Sequence, residues 1–285
     1  MPRIAYVNGR YVPHDLALIH VEDRAHQFAD GVYEVCGVWA GRMLDRIGHL
    51  DRLERSLREL RIAPPVKRQA LEFILQEMVR RNRIQDGLVY IQVSRGAAPR
   101  DHAFPPPDVP SSLILTAKAM DLSKNDGLAE MGVSVITVPE TRWARVDIKS
   151  VSLLPNVLAK QKARDAGAYE AWFVDDAGYV TEGASTNAWI VTPQRHLVTR
   201  ELGGILAGIT RHSLIEIARS MGLTVEERPF TVSEALGAHE AFISSATSFV
   251  MPVVELDGKA IANGRPGSVA GDLRRLYKAK AIEIA

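Results

Sequence analysis

What most constrains this chain is how often its apolar period changes. In the first 120 residues, runs that alternate every second residue bracket two runs spaced three or four apart. A strand pattern does not serve as a helix pattern, so the segment must mix both. IAYVNGRYV reads as two short strands turned by Asn8-Gly9, the strongest short-range hairpin dipeptide. GVYEVCGVWAGRMLDR repeats the arrangement, with its turn at Ala40-Gly41. Residues 46–61 then place Ile47, Leu50, Leu53, Leu57 and Leu60 on one helical face. Residues 66–82 do the same with Val66, Ala70, Phe73, Ile74 and Val79. GLVYIQVSRG and SSLILTAKAM return to strand on either side of a proline-rich loop, AAPRDHAFPPPDVP. The order β-β-α-α-β-β predicts an α+β domain over residues 1–120, with both helices on one side of its sheet.

DLSKNDGLAEMG, residues 121–132, is polar and turn-rich without a period, and reads as an interdomain linker. From residue 133 to 285 the chain is denser in strands, broken by helical runs near 156–166, 209–221, 232–238 and 267–284. That pattern suggests a distorted barrel or a sandwich. With 285 residues, 46% of them hydrophobic, there is enough apolar surface for one large core or two modest ones. The formal charge of +1, from 35 basic and 34 acidic residues, offers no footprint for nucleic acid or an anionic membrane. Cys36 is the only cysteine, which excludes an internal disulfide framework and suits a reducing compartment. MPRIAYVNGRYV lacks the layout of a signal peptide, and no run is apolar enough to span a bilayer, so a cytoplasmic location is expected.

The chemistry-bearing positions are few. In RVDIKSVSLLPN (145–156), Val146, Ile148, Ser150 and Ser152 alternate like a half-buried strand, which puts Lys149 on the other face. Lys149 then either faces water, as on an edge strand, or is enclosed and kept nucleophilic for Schiff-base chemistry. Gly203, Gly204 and Gly208 run into a helix whose first-turn N–H groups, at Ile209 and Thr210, suit an anion; Thr210 serves equally as a helix cap. In YVTEGASTNAWIV, Glu182 precedes a tight turn, where it either holds a protonated ring nitrogen or ends a solvated hairpin. Arg100 and His102, two apart in the proline-rich loop, either clamp a carboxylate or form a charged loop tip. The remaining histidines are scattered, with no H-E-x-x-H, and no metal site is expected. No G-x-S-x-G elbow is present, and Cys36 reads as inert core.

Six segments occur in order: EDRAHQFADGVYEV, HLDRLERS, SRGAAPRDHAFP, RWARVDIKSVSLLPNVLAKQKA, VTEGASTN and GITR. Together they closely resemble the fold-type IV pyridoxal-phosphate aminotransferases, specifically their D-amino acid branch, over residues 4 to 260. The resemblance implies a two-domain fold, with a small N-terminal α+β domain and a larger C-terminal pseudo-barrel domain that binds pyridoxal phosphate. It implies that Lys149 forms the Schiff base and later moves the substrate proton, and that Glu182 pairs with the pyridine nitrogen. Arg52, Ile209 and Thr210 are implied to hold the phosphate, and Leu206 to pack on the ring. Tyr33, Arg100 and His102 are implied to trap the substrate α-carboxylate, the last two reaching in from the neighbouring subunit of a homodimer.

Ala246 stands where D-amino acid enzymes usually carry a phosphate-binding threonine, so only its backbone N–H is expected to serve. Ala184 likewise replaces a serine. The implied reaction is a ping-pong exchange between D-alanine and 2-oxoglutarate. Branched-chain L-aminotransferases and aminodeoxychorismate lyases share the fold, and the Arg100-x-His102 pair favours the D-amino acid enzymes over both. A non-catalytic ligand-binding relative would be expected to have lost Lys149 or Glu182, and both are present.

Overall fold

The computed structural model describes residues 3–283, which fall into two units. One comprises the chain through Asp121 together with Ile148–Ser152; the other comprises Leu122–Asp147 and the chain from Leu153 onward.

The first unit contains β1 (Ile4–Val7), β2 (Arg10–Pro13), α1 (Arg24–Phe28), β3 (Gly31–Trp39), β4 (Arg42–Met43), α2 (Arg46–Glu59), α3 (Arg68–Asn82), β5 (Gly87–Ser94) and β6 (Ser112–Ala119). Its six strands form one antiparallel sheet in the order β2-β1-β6-β5-β3-β4. Asn8 and Gly9 both have positive φ, as do Ala40 and Gly41, which is what tight two-residue hairpins require. Along β5, Val89, Ile91 and Val93 are buried, while Leu88, Tyr90 and Gln92 are only half-buried. The pleat therefore sends one set into the core shared with α2 and α3, and the other to the opposite face.

The helical faces differ in part from the sequence expectation. Phe73 is 62% exposed and Ile47 65% exposed, whereas Leu71, Leu75 and Met78 are buried. The apolar stripe of α3 runs through Leu71, Ile74, Leu75, Met78 and Val79, a better 3.6-residue series than the one centred on Phe73.

The second unit contains α4 (Leu122–Met131), β7 (Val133–Pro139), α5 (Leu154–Asp165), β8 (Glu170–Val174), β9 (Tyr179–Gly183), β10 (Asn187–Val191), β11 (Leu197–Thr199), α6 (Ile209–Ser220), β12 (Val225–Glu227), β13 (Phe230–Thr231), α7 (Val232–Leu236), β14 (Glu240–Ser245), β15 (Phe249–Leu256), β16 (Lys259–Ala260) and α8 (Ser268–Glu283). Its mixed sheet runs β12-β11-β10-β14-β15-β7-β8-β9-β13, with β16 added beside β15. The pairs β7/β8 and β11/β12 are parallel, each joined by a crossover containing a helix, α5 and α6 respectively. Trp172, Ile190, Val198, Phe230 and Ile243 fill one core of this sheet, and α5 packs Ala159 and Ala163 with Ala171 and Phe173 in another.

Two sequence expectations need correction here. Residues 122–131, expected as a linker, form α4. Its polar, glycine-containing sequence lacks a clear stripe, and a helix of that kind is set by its packing rather than by its pattern. Lys149, expected in the C-terminal half, belongs to the first unit, and the expected strand is absent: residues 144–147 form a turn and Lys149 follows it in irregular backbone. Only Ser150 is bridged, to Val32, because Gly31 and Tyr33 supply just the hydrogen-bond partners for a single rung. Among the described residues no helix is long and apolar enough to cross a membrane.

Candidate active site

The sequence-predicted residues gather in two groups, one per unit. In the first unit the pleat of β3 decides which residues face which way. Glu34 shares parity with Val32 and Cys36 and points into the core, while Tyr33 lies on the opposite face beside Tyr90. Glu34 is fully buried, and α2 brings His49 and Arg52, three residues apart, onto it. Arg52 grips the carboxylate through Nε at 2.7 Å and Nη2 at 2.8 Å, and His49 Nδ1 lies 2.8 Å from Glu34 Oε2. Burial alone would raise the Glu34 pKa; the Arg52 charge and the hydrogen bonds outweigh it and hold it at about 2. The two parallel bonds fix the plane of the Arg52 guanidinium.

One turn beyond Arg52 on the same helix, the Ser56 hydroxyl accepts the backbone N–H of Lys149 at 3.4 Å. The Lys149 carbonyl accepts from Tyr33 N–H at 3.0 Å, and Val151 N–H donates to Gly31 O at 3.0 Å. These bonds tie the lysine to the start of β3. The side chain is half-buried, with Nζ 4.1 Å from the Tyr33 ring centroid. Tyr33 stacks on Tyr90 with ring centroids 5.7 Å apart, and burial lifts the Tyr90 phenol to about 12, with Tyr33 adding to the shift. Cys36, on the core side, is fully buried and its thiol is pushed up by burial, so it is a packing residue.

Arg100 and His102 do not join this group within the chain. Both are exposed on the proline-rich loop and pack on Phe28 of α1, the Arg100 guanidinium 4.9 Å and the His102 ring 5.3 Å from its centroid.

In the second unit Glu182 is the penultimate residue of β9, and Asn187 opens β10 across a short turn. The turn closes through Gly183 N–H to Thr186 O at 2.7 Å, and a Cβ on Gly183 would overlap the Thr186 hydroxyl. Glu182 is buried and richly served. Arg142 Nη1 reaches Oε1, Asn187 Nδ2 donates to Oε2 at 3.0 Å, and the Leu206 N–H donates to both oxygens at 3.1 and 3.2 Å. Asn187 also donates to Leu206 O at 3.2 Å, so one side chain ties the carboxylate to the loop before α6. Gly208 must be glycine there, since a Cβ would collide with Asn187 Oδ1.

Gly208 is the N-cap of α6 and no side chain caps the helix, leaving the first turn built on the backbone N–H groups of Ile209 and Thr210. Thr210 is buried, its hydroxyl 3.5 Å from Tyr277 OH. Ala246 lies in the turn between β14 and β15, which is braced by the Ser245 and Ser248 hydroxyls at 2.7 Å.

Sequence reading missed Arg142, Asn187 and Glu34, although all three fall inside or beside the quoted segments. Arg142 is 6% exposed at its side chain and sits between Glu140 and Glu182, its Nε donating to Glu140 Oε1 at 2.9 Å. Its sequence signal, RWAR in a turn-rich stretch, does not distinguish it from a surface arginine. The parity of Glu34 among buried strand residues is the one readable hint.

The class IV amino-transferase family model matches residues 31–256. The D-alanine aminotransferase of Bacillus licheniformis is 39% identical over 268 residues, covering 94% of this chain and 93% of that protein. That of Listeria innocua is 37% identical, covering 95% of this chain and 93% of its own. A T.th. branched-chain amino acid aminotransferase, solved with pyridoxamine 5'-phosphate, superposes with a TM-score of 0.92 at 26% identity, covering 99% of this chain and 94% of that one. The Escherichia coli branched-chain enzyme, at 22% identity and a TM-score of 0.89, shares the fold over 99% of this chain and 95% of its own. The architecture is that of the fold-type IV aminotransferases. With a family match across most of its length and near-full-length relatives well above 30% identity, this chain belongs to the class IV amino-transferases.

Proposed function

We propose that this chain is a pyridoxal-phosphate-dependent transaminase that moves the amino group of a D-amino acid to a 2-oxo acid, with D-alanine and 2-oxoglutarate as the leading pair and pyruvate and D-glutamate as products. The observation that carries the reading is the environment of Glu182. It is a buried carboxylate that accepts from Arg142, Asn187 and the Leu206 N–H together. An arginine bonded directly to it favours the charged form, which is what a protonated ring nitrogen needs as its partner. The residues fit the cofactor in three further respects: a half-buried lysine on an ordered backbone, a helix start with no side-chain cap, and an arginine held in one plane.

Pyridoxal phosphate, when bound, supplies an aldehyde for the substrate amine and a ring that withdraws electrons from Cα. In this reading Lys149 anchors the cofactor, and its freed Nζ takes the proton from the substrate Cα. Glu182 keeps the ring nitrogen protonated. Arg52 and the N–H groups of Ile209 and Thr210 hold the phosphate dianion, with Ala246 offering only its backbone, and Leu206 packs on the ring. Tyr33, Arg100 and His102 hold the α-carboxylate. Arg100 and His102 are exposed in the single chain, which accords with their serving a neighbouring subunit in a homodimer.

Stereochemistry follows from the carboxylate trap. A guanidinium holds a carboxylate through two parallel bonds and so fixes its direction as well as its place. With the carboxylate and the Cα–H direction both fixed, exchanging two substituents at Cα takes the proton away from Lys149. The test is the first half-reaction with D- and L-alanine side by side, followed by the change in cofactor absorbance. Conversion by D-alanine alone is expected. Faster conversion by L-leucine or L-glutamate than by D-alanine would replace this reading with the branched-chain one.

A further inference from the structure

The loop bearing Arg100 and His102 has almost no regular structure with which to hold its shape. Residues 99–108 include Pro99, Pro105, Pro106 and Pro107, which have no N–H to donate, and residues 99–104 are exposed. Backbone bonds secure the two ends, from Ala98 N–H to Glu22 O and from Val109 N–H to Pro106 O. Between them side chains hold the loop to the fold, and two buried arginines dominate. Arg24, on α1, is 3% exposed. Its Nη1 donates to Asp101 O at 2.7 Å, its Nη2 lies 3.5 Å from His102 O, and its Nε donates to Asp30 Oδ2 at 2.8 Å. Arg95 shares the same carboxylate through Nε at 2.7 Å and Nη2 at 2.9 Å, and stacks its guanidinium 3.6 Å from the Phe104 centroid. Arg24 also lies over Phe28, the ring against which Arg100 and His102 rest.

We infer that Arg24 is a positioning residue for substrate recognition: by fastening the Asp101 and His102 carbonyls to α1 and Asp30, it holds Arg100 and His102 in the geometry that receives the α-carboxylate. The inference rests on the D-amino acid reading above, in which that pair meets the substrate. Asp30 can serve as the anchor because it stays ionised. Burial raises its pKa, but the hydrogen bonds from Arg95 and Arg24 lower it further. Arg24 itself need not touch substrate. A backbone carbonyl bonded to a buried, ion-paired guanidinium loses much of its freedom, and a clamp ordered before binding does not have to be ordered by the substrate. The consequence is a signature in KM rather than in the chemical step.

The experiment compares the holoenzyme carrying Arg24→Gln, Arg100→Ala and both together. Arg24→Gln is expected to raise KM for D-alanine about ten-fold while kcat stays within about two-fold. The double variant should raise KM by less than the product of the two single effects, because Arg24 acts only through the clamp to which Arg100 belongs, and what it adds beyond Arg100→Ala is the loss of His102 placement. An unchanged KM in Arg24→Gln, or effects that multiply in the double variant, overturns the inference and leaves the D-amino acid reading standing. An Arg100→Ala enzyme with wild-type KM for D-alanine sinks the reading itself, and with it any clamp for Arg24 to position. If Arg24→Gln does not accumulate folded, Arg24→Lys keeps the charge beside Asp30 but cannot span two carbonyls, and the same KM criterion decides.

Discussion

The Leu206 N–H donates to the Glu182 carboxylate at 3.1 and 3.2 Å, across 24 residues of chain. The residue expected to pack on the cofactor ring is thus fastened to the one expected to hold the ring nitrogen. Asn187 doubles the link by bonding both Glu182 Oε2 and Leu206 O. A change at either end therefore moves the other, which makes this pair a sensitive place to probe the proposed function.

Arg142 is the first probe. Replacing it with methionine takes a cation away from a buried carboxylate, which is expected to cost about 3–5 kcal/mol of stability. Where the variant folds, the half-reaction with D-alanine should slow by about ten- to a hundred-fold. Glu182→Ala should likewise keep a coloured enzyme but slow proton removal from Cα. Stopped-flow traces with wild-type rates for both variants would remove Glu182 from the ring-nitrogen role.

Lys149→Ala should abolish the visible absorbance of the lysine-bound cofactor and nearly all turnover. The protein is expected to stay folded, because the segment is tied down by backbone bonds to Gly31 and Tyr33 and not by the amine. Circular dichroism checks the fold and a spectrophotometric assay the chemistry. Retained turnover would mean that another amine serves.

Glu34 predicts an acid limb. Its folded pKa, held at about 2, lies below the ordinary value of 4.5, so its contribution is fully present above 4.5 and is lost as pH falls toward 2. Glu34→Gln should lower stability at neutral pH by about 3–5 kcal/mol, since the buried Arg52 loses the carboxylate it grips. Its unfolding midpoint in urea should also fall less steeply than wild type between pH 4.5 and about 3. Parallel curves for the two proteins over that range would show that the pair does not carry the acid sensitivity.

Ala246→Thr adds back a hydroxyl in the turn between β14 and β15. A neutral hydrogen bond to a phosphate oxygen is worth roughly 1 kcal/mol, so the cofactor Kd should fall about five-fold. Fluorescence titration of the apoenzyme gives the value. No change in Kd would mean that this turn does not meet the phosphate.

Local chemistry is legible in the sequence wherever a few adjacent residues decide the outcome. Asn8-Gly9 and Ala40-Gly41 make hairpins because positive φ at two consecutive residues allows little else, and both turns form as expected. The helices α2 and α5 to α8 fall within a few residues of their periodic runs. The six ordered segments, taken as a resemblance, lead to the family in which the chain belongs.

What the sequence could not carry depends on partners far along the chain. Residues 146–152 alternate like a strand, yet 144–147 form a turn, because β-structure needs a neighbouring strand and in this stretch Ser150 alone is bridged, to Val32. Phe73 has the spacing of a core residue, but the packing of α3 turns the Leu71–Met78 stripe inward instead. Arg142 meets Glu182 from 40 residues away, and Arg24 meets Asp101 from 77. An arginine's sequence neighbours do not reveal whether it ends in water or on a buried carboxylate. Only the folded chain creates the low-dielectric surroundings that make such a pair worth keeping, and so only tertiary structure decided which charges are held in place and which face solvent.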